Sequence, residues 1–238
     1  MGGGLWITKA CHDFDILAWI AGSLPTRVSA QAALTHYGAR SEAGMRCSAC
    51  PIEPRRPDSA LPELERQPAF WKRIYDIREA SGRWPARDLC LYNSDKDTFD
   101  HGIAQVASQG DITAVYTLNV VAAFTDRSLT ISGTEGTIRG SLASPLIHFW
   151  RRHREIEDPE NLPVREAGGQ NDGGHGGGDA RLLDEFAAFV RGEPSVAVAP
   201  PEASVAVAIG LAATRSSDTG RTVELAELRG WPELAAKL

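Results

Sequence analysis

The side chains best equipped for chemistry open the chain: Gly2, Gly3 and Gly4 precede Lys9, His12, Asp13 and Asp15. Glycines ahead of a helix start let backbone approach a ligand closely, and the positive end of a helix favours an anion or a developing oxyanion. His12 and Asp15 stand three apart, the spacing that puts two side chains on one helix face, so the carboxylate can orient the imidazole. Lys9 adds a cation just before the first turn. Such a set supplies a titratable proton carrier and a positive charge at one spot, as interconversion of a carbonyl and an alcohol requires. A simpler role fits the same residues: capping and polarising the helix start.

Three further clusters can be read in the same way. Gly173-Gly174-His175-Gly176-Gly177-Gly178-Asp179 runs into a helical pattern, with Asp179 at the N-cap. Ordering so much glycine is costly, so the stretch is either a plain connector or a loop that closes on a ligand. It is not a dinucleotide fingerprint, because the strands before it form a meander rather than a βαβ unit. Asp95, Asp97, Asp100 and His101 could bind a divalent cation or sugar hydroxyls, yet the closing glutamate of a calcium loop is missing. Asp95 and Asp97 read as a solvated turn, and His101, at a strand start, as the pocket residue. Cys47, Cys50 and Cys90 could begin a zinc site, but such a site takes four ligands and the remaining cysteine, Cys11, lies in the helix start. Reduced thiols are the simpler reading, so no metal is expected.

The elements that must position these groups follow from the apolar spacing. Phe14, Leu17, Ala18 and Ala21 mark a helix over Cys11 to Ala21, ended by Gly22 and Pro25. Val28, Ala30, Ala32 and Leu34 alternate as a strand. Residues 38 to 88, rich in Pro, Arg and Glu, read as a long insertion carrying one helix near 61 to 79. Beyond it the pattern is β, with strands at 103–108, 112–120, 128–132, 137–139 and 146–149, and a weaker one at 153–156. Gly110-Asp111 and Gly133-Thr134-Glu135-Gly136 supply the turns. Helices near 180–191 and 202–216, a short strand at 223–225 and an exposed tail complete the chain. Helix, strand meander and helix pair give an α+β class: an open, largely antiparallel sheet with helices packed on one face.

At 238 residues, 42% hydrophobic and 24% charged, the chain suits one globular domain with a sizeable core. A net charge of −6 disfavours nucleic acid and anionic membrane as partners, since both recruit basic surface. No apolar run is long enough to span a bilayer and no charged leader opens the chain, so a cytoplasmic location is expected.

Several of these segments, in order, resemble one family. Gly2 to Leu5 followed by Lys9 to Trp19 is similar to the junction where the C-terminal domain of Gfo/Idh/MocA oxidoreductases begins. The stretches Asn93 to His101, Phe124 to Arg127 with Gly133 to Gly136, and Gly174 to Asp179 resemble successive later segments of one branch. The resemblance covers almost the whole chain. It implies a substrate-binding and oligomerisation domain of an NAD(P)-dependent sugar or polyol oxidoreductase, with residues 1–238 forming that one domain and no dinucleotide-binding domain among them. NAD or NADP would not be bound by this chain alone, and a separate chain could supply the Rossmann half. His12 matches the family's catalytic histidine, with Thr8 where an aspartate often stands, so Lys9 takes the cationic role. Asp13, Asp15, His101, His175 and Asp179 become candidate contacts to a small sugar or polyol. The uncovered sheet face becomes a homo-oligomer interface. The same domain could instead be a non-catalytic oligomerising or sugar-binding module.

Overall fold

A tryptophan wedge organises the helical side of the sheet. The computed structural model describes residues 4–52, 57–142, 144–152, 159–163, 178–195 and 200–238. Helix α1 (Gly4–Thr8) carries Trp6, 2% exposed, against Phe99 at 4.6 Å and Phe14 at 6.1 Å between ring centroids. Its indole N–H donates to Ser217 Oγ at 3.2 Å. Glycine makes room for both the ring and the backbone of Trp6. A Cβ at Gly102 would lie 2.9 Å from the Trp6 ring, and one at Gly210 would lie 2.8 Å from its carbonyl oxygen.

Helix α2 (Cys11–Ala21) follows with Phe14 fully buried, and Gly22 at φ 58° ends it in the left-handed conformation glycine tolerates. Strands β1 (Pro25–Ala33), β2 (His101–Ser108), β3 (Thr113–Asn119) and β8 (Val223–Glu224) form a sheet in the order β3-β2-β1-β8, with every pair antiparallel. Gly102, Ala104 and Val106 of β2 are buried while Ile103 and Gln105 are exposed, the alternation of a strand covered on one side. Small residues on the inner face let α6 (Pro200–Thr219) lie close on β1, with Val205, Ala206, Ile209, Ala212 and Ala213 buried at helical spacing. Ser216, on the same face, accepts the N–H of Ala30 at 2.8 Å and so satisfies β1 beyond its short pairing with β8.

Between β1 and β2 lies the insertion. Among its described residues lie two α-helices, α3 (Leu61–Arg66) and α4 (Ala69–Ala80), where one was expected; Pro68 breaks the run because it has no N–H to continue it. Residues 122–199 form a second compact unit, and residues 1–121 and 200–238 form the first. That second unit contains β4 (Ser128–Ser132), β5 (Gly136–Ser141), β6 (Leu146–Arg151) and β7 (Glu160–Pro163) in one antiparallel sheet, and α5 (Gly178–Arg191). The sequence pattern implied a single continuous meander; the strands divide into two sheets after Asn119 instead. The possible strand at 153–156 lies outside the described residues. The tail is not bare, since α7 (Trp231–Ala235) buries Trp231 against the first core.

Candidate functional site

The glycine-led start of the chain and the segment before β2 share one end of the first sheet. A Cβ on Gly4 would come within 3.9 Å of Thr98 Oγ1, and Trp6 lies on Phe99. Lys9, in the turn between α1 and α2, is exposed, and so are His12 and Asp15. No side chain caps α2, and among the described residues no hydrogen bond or ion pair joins His12 to Asp15. Asp13 faces the other way: it is half-buried and accepts the Tyr116 hydroxyl at 2.8 Å, which ties α2 to the middle of β3.

At the start of β2 a second arrangement is more tightly held. Asp100, 1% exposed, lies with Oδ1 2.7 Å from His101 Nδ1, while its Oδ2 accepts the backbone N–H of Thr35 at 3.0 Å and of Tyr37 at 2.8 Å. Burial alone would raise the Asp100 pKa; the bonds from Tyr37, His101 and Thr35 outweigh it and hold the group below the ordinary carboxylate range. His101 shares its strand face with Ile103 and Gln105, opposite the residues that pack on the helices. His12 therefore belongs to the helix-covered side of the sheet and His101 to the uncovered side.

Sequence reasoning named Asp100 in the acidic cluster but gave it no role apart from its neighbours Asp95 and Asp97, which are exposed. Its partners, the amides of residues 35 and 37, are more than sixty residues away. Close by, Asp58 accepts the Tyr92 hydroxyl at 2.6 Å and the Tyr37 hydroxyl at 3.2 Å, with His36 Nε2 at 3.6 Å. Burial raises the Tyr37 pKa and the Asp58 charge raises it further. Asp58 itself is lowered: burial opposes its charge, but the bonds from Tyr92, Tyr37 and His36 win.

Cys47, Cys50 and Cys90 do converge, on a cavity of about 10 Å³ that Asp58 and Tyr92 also line. None of the four cysteines is in a disulfide. Among the described residues no group of three or more His, Cys, Asp or Glu side chains is placed to hold a metal ion. Asp179 sits in the exposed first turn of α5, and His175 lies outside the described residues. No helix among the described residues is long and apolar enough to cross a membrane.

Comparison with known proteins gives this geometry a context. Residues 1–225 match the Gfo/Idh/MocA family model described as the oxidoreductase family, C-terminal α/β domain. The candidate oxidoreductase YteT of Bacillus subtilis (strain 168) is 27% identical over 208 residues, 77% of this chain and 46% of that protein. An oxidoreductase domain protein from Kribbella flavida has a similar fold, with a TM-score of 0.57 at 14% identity over 92% of this chain and 50% of its own. So has an oxidoreductase from Agrobacterium radiobacter solved with NAD+, L-tartaric acid and magnesium, with a TM-score of 0.53 at 13% identity over 92% of this chain and 48% of its own. The chain spans about half the length of each of these relatives.

Proposed function

The chain belongs to the Gfo/Idh/MocA oxidoreductase family as its C-terminal α/β domain, and on that premise we propose that it is the substrate-binding and self-associating domain of an NAD(P)-dependent oxidoreductase acting on a sugar or polyol. The observation that carries the reading is the fold itself. Every strand pair among the described residues is antiparallel. Dinucleotide binding needs a parallel βαβ unit with a glycine turn at a helix N-terminus. The described residues therefore do not fit NAD or NADP, and on this reading the nicotinamide is held by a cofactor domain outside them.

Within this reading the chain's own side chains hold the substrate and move its proton. His12, exposed at the start of α2, takes up or returns the hydroxyl proton, and Lys9 stabilises negative charge on the substrate oxygen. Asp13 and Asp15 are the candidate contacts to the rest of that molecule, and His101 and, separately, His175 and Asp179 are candidate contacts to a sugar or polyol. The L-tartaric acid in the Agrobacterium radiobacter protein, a dihydroxy acid, supports a hydroxyl-bearing substrate. The reading places the protein in the cytoplasm, where nicotinamide pools and reduced thiols coexist.

The uncovered face of the first sheet supports self-association. Ile103 and Val115 are 48% and 68% exposed on it, flanked by polar residues, and a second copy would bury them. The same face is what favours the second reading, a non-catalytic oligomerising or sugar-binding module.

A replacement separates the two readings. With the N-terminal half of a full-length relative supplied as cofactor domain, His12→Ala should leave the circular dichroism spectrum and melting curve unchanged while abolishing reconstituted turnover. Turnover retained by His12→Ala would return that residue to a helix-end role, and no turnover from the wild type would favour the non-catalytic module.

A further inference from the structure

Among the described histidines, His101 alone has a ring nitrogen within 2.7 Å of a buried carboxylate. An ionised carboxylate can only accept hydrogen bonds. With Asp100 Oδ1 2.7 Å from His101 Nδ1, the hydrogen of the neutral ring must therefore sit on Nδ1, which leaves Nε2 as a bare acceptor. Among the described residues nothing bonds to that Nε2, and the His101 side chain is 45% exposed. Asp100 does not need His101 to anchor the insertion, because the two backbone amides of residues 35 and 37 both use its other oxygen. Its second oxygen is committed instead to holding a solvent-facing ring in one tautomer, the arrangement by which carboxylates orient working imidazoles.

We propose that Asp100 is a positioning residue that fixes His101 as a hydrogen-bond acceptor for a hydroxyl group of a polyhydroxylated small molecule. The assignment rests on the reading that this chain binds such a molecule, and it adds which group His101 recognises and which residue makes it do so. A bare Nε2 lone pair accepts from a hydroxyl. It repels a carbonyl or carboxylate oxygen brought to the same point, since two acceptors then face each other without a hydrogen between them. His101 thereby selects alcohol over ketone at the carbon it meets.

The test uses the full chain with its histidines labelled with nitrogen-15, observed by long-range proton-nitrogen correlation at a pH where the rings are neutral; His101→Gln identifies the signal. Wild-type His101 should carry its hydrogen on Nδ1. In Asp100→Asn the side-chain oxygen still accepts the two backbone N–H groups, while its amide nitrogen donates to Nδ1 and drives the ring hydrogen to Nε2. D-glucose, D-xylose and myo-inositol then serve as probes. At least one should shift the wild-type His101 Nε2 resonance saturably, with binding about tenfold weaker in Asp100→Asn, the loss of one hydrogen bond. A wild-type ring protonated on Nε2 would overturn the proposal by itself, without reliance on the variant's fold, and so would failure of all three probes to move the His101 signal. Failure of reconstituted turnover, by contrast, strikes the oxidoreductase reading and leaves the tautomer untouched.

Discussion

The first sheet's core and the insertion between β1 and β2 are held together by opposite means. In the core the large side chains are inside: Trp6, Phe14, Val28 and Ile209 are each 2% exposed or less. In the insertion they are largely outside, with Phe70, Trp71, Ile77 and Trp84 all half exposed or nearly so. What the insertion buries, besides Cys90 and Tyr92, is charge. Asp88 accepts Arg46 Nε at 2.8 Å and the Ser48 amide at 3.0 Å; Glu79 of α4 reaches the same Arg46 at 3.0 Å. Asp58 and Asp100 complete a set of three carboxylates that close the segment onto itself and onto the sheet. Apolar burial is insensitive to pH and indifferent to direction, whereas carboxylate bonds are neither. A scaffold that must not move is thus built of the first, and the segment beside the candidate ligand contacts of the second.

The contrast can be broken or sharpened by mutation and by acid. The largest effect belongs to Phe14→Ala, which should cost about 3 to 5 kcal/mol, because the ring is fully buried and its removal leaves a cavity. Denaturant melts should show the whole first unit losing stability together. Asp88→Ala should cost about 2 kcal/mol through the orphaned Ser48 amide, with the loss confined to the insertion. Hydrogen exchange would then quicken at residues 46–49 and 88–90 while β1 and β2 keep their protection; loss of both together would erase the distinction drawn above.

Acid should separate the regions without mutation. Asp58, Asp88 and Asp100 all have folded-state pKa values below the ordinary carboxylate value; in each, burial opposes the charge and hydrogen bonds outweigh it, Arg46 and Ser48 doing so at Asp88. The unfolded chain therefore binds more protons than the folded one as pH falls. The stabilisation is complete above the ordinary value near about pH 4 and drains away as pH drops through the lower folded values. Exchange measured between neutral pH and about pH 2.5 should show the insertion opening before the sheet. The smallest effect is expected from Val115→Glu on the uncovered face, within about 0.5 kcal/mol for the folded monomer, since the side chain is already exposed. Sedimentation should nonetheless lose any self-association; unchanged sedimentation of an oligomeric wild type would remove that face as the interface.

Much of the scaffold was legible in the residues. The buried face of α2 follows from Phe14 and its end from Gly22, and the β2 to β3 hairpin from Gly110-Asp111, where both residues adopt positive φ. Short elements escaped: α1 and α7 have five residues each, too few for a period to emerge, although each buries a tryptophan. The division into two sheets also escaped, because alternation tells which face of a strand is covered but not which strands are neighbours. The candidate site was legible in part. His12 and His101 stand out by residue type, but Asp100 is told apart from Asp95 and Asp97 only by amides brought over from the end of β1. A pairing of that range leaves no local signal.

On the proposed function, this polypeptide supplies the substrate's side of a redox site and not the nicotinamide's. Titrating NADH and NADPH into the isolated chain, and following cofactor fluorescence together with energy transfer from its six tryptophans, tests it most directly. The account predicts no saturable binding of either nucleotide until a cofactor domain is added. Saturable binding by the chain alone would contradict it.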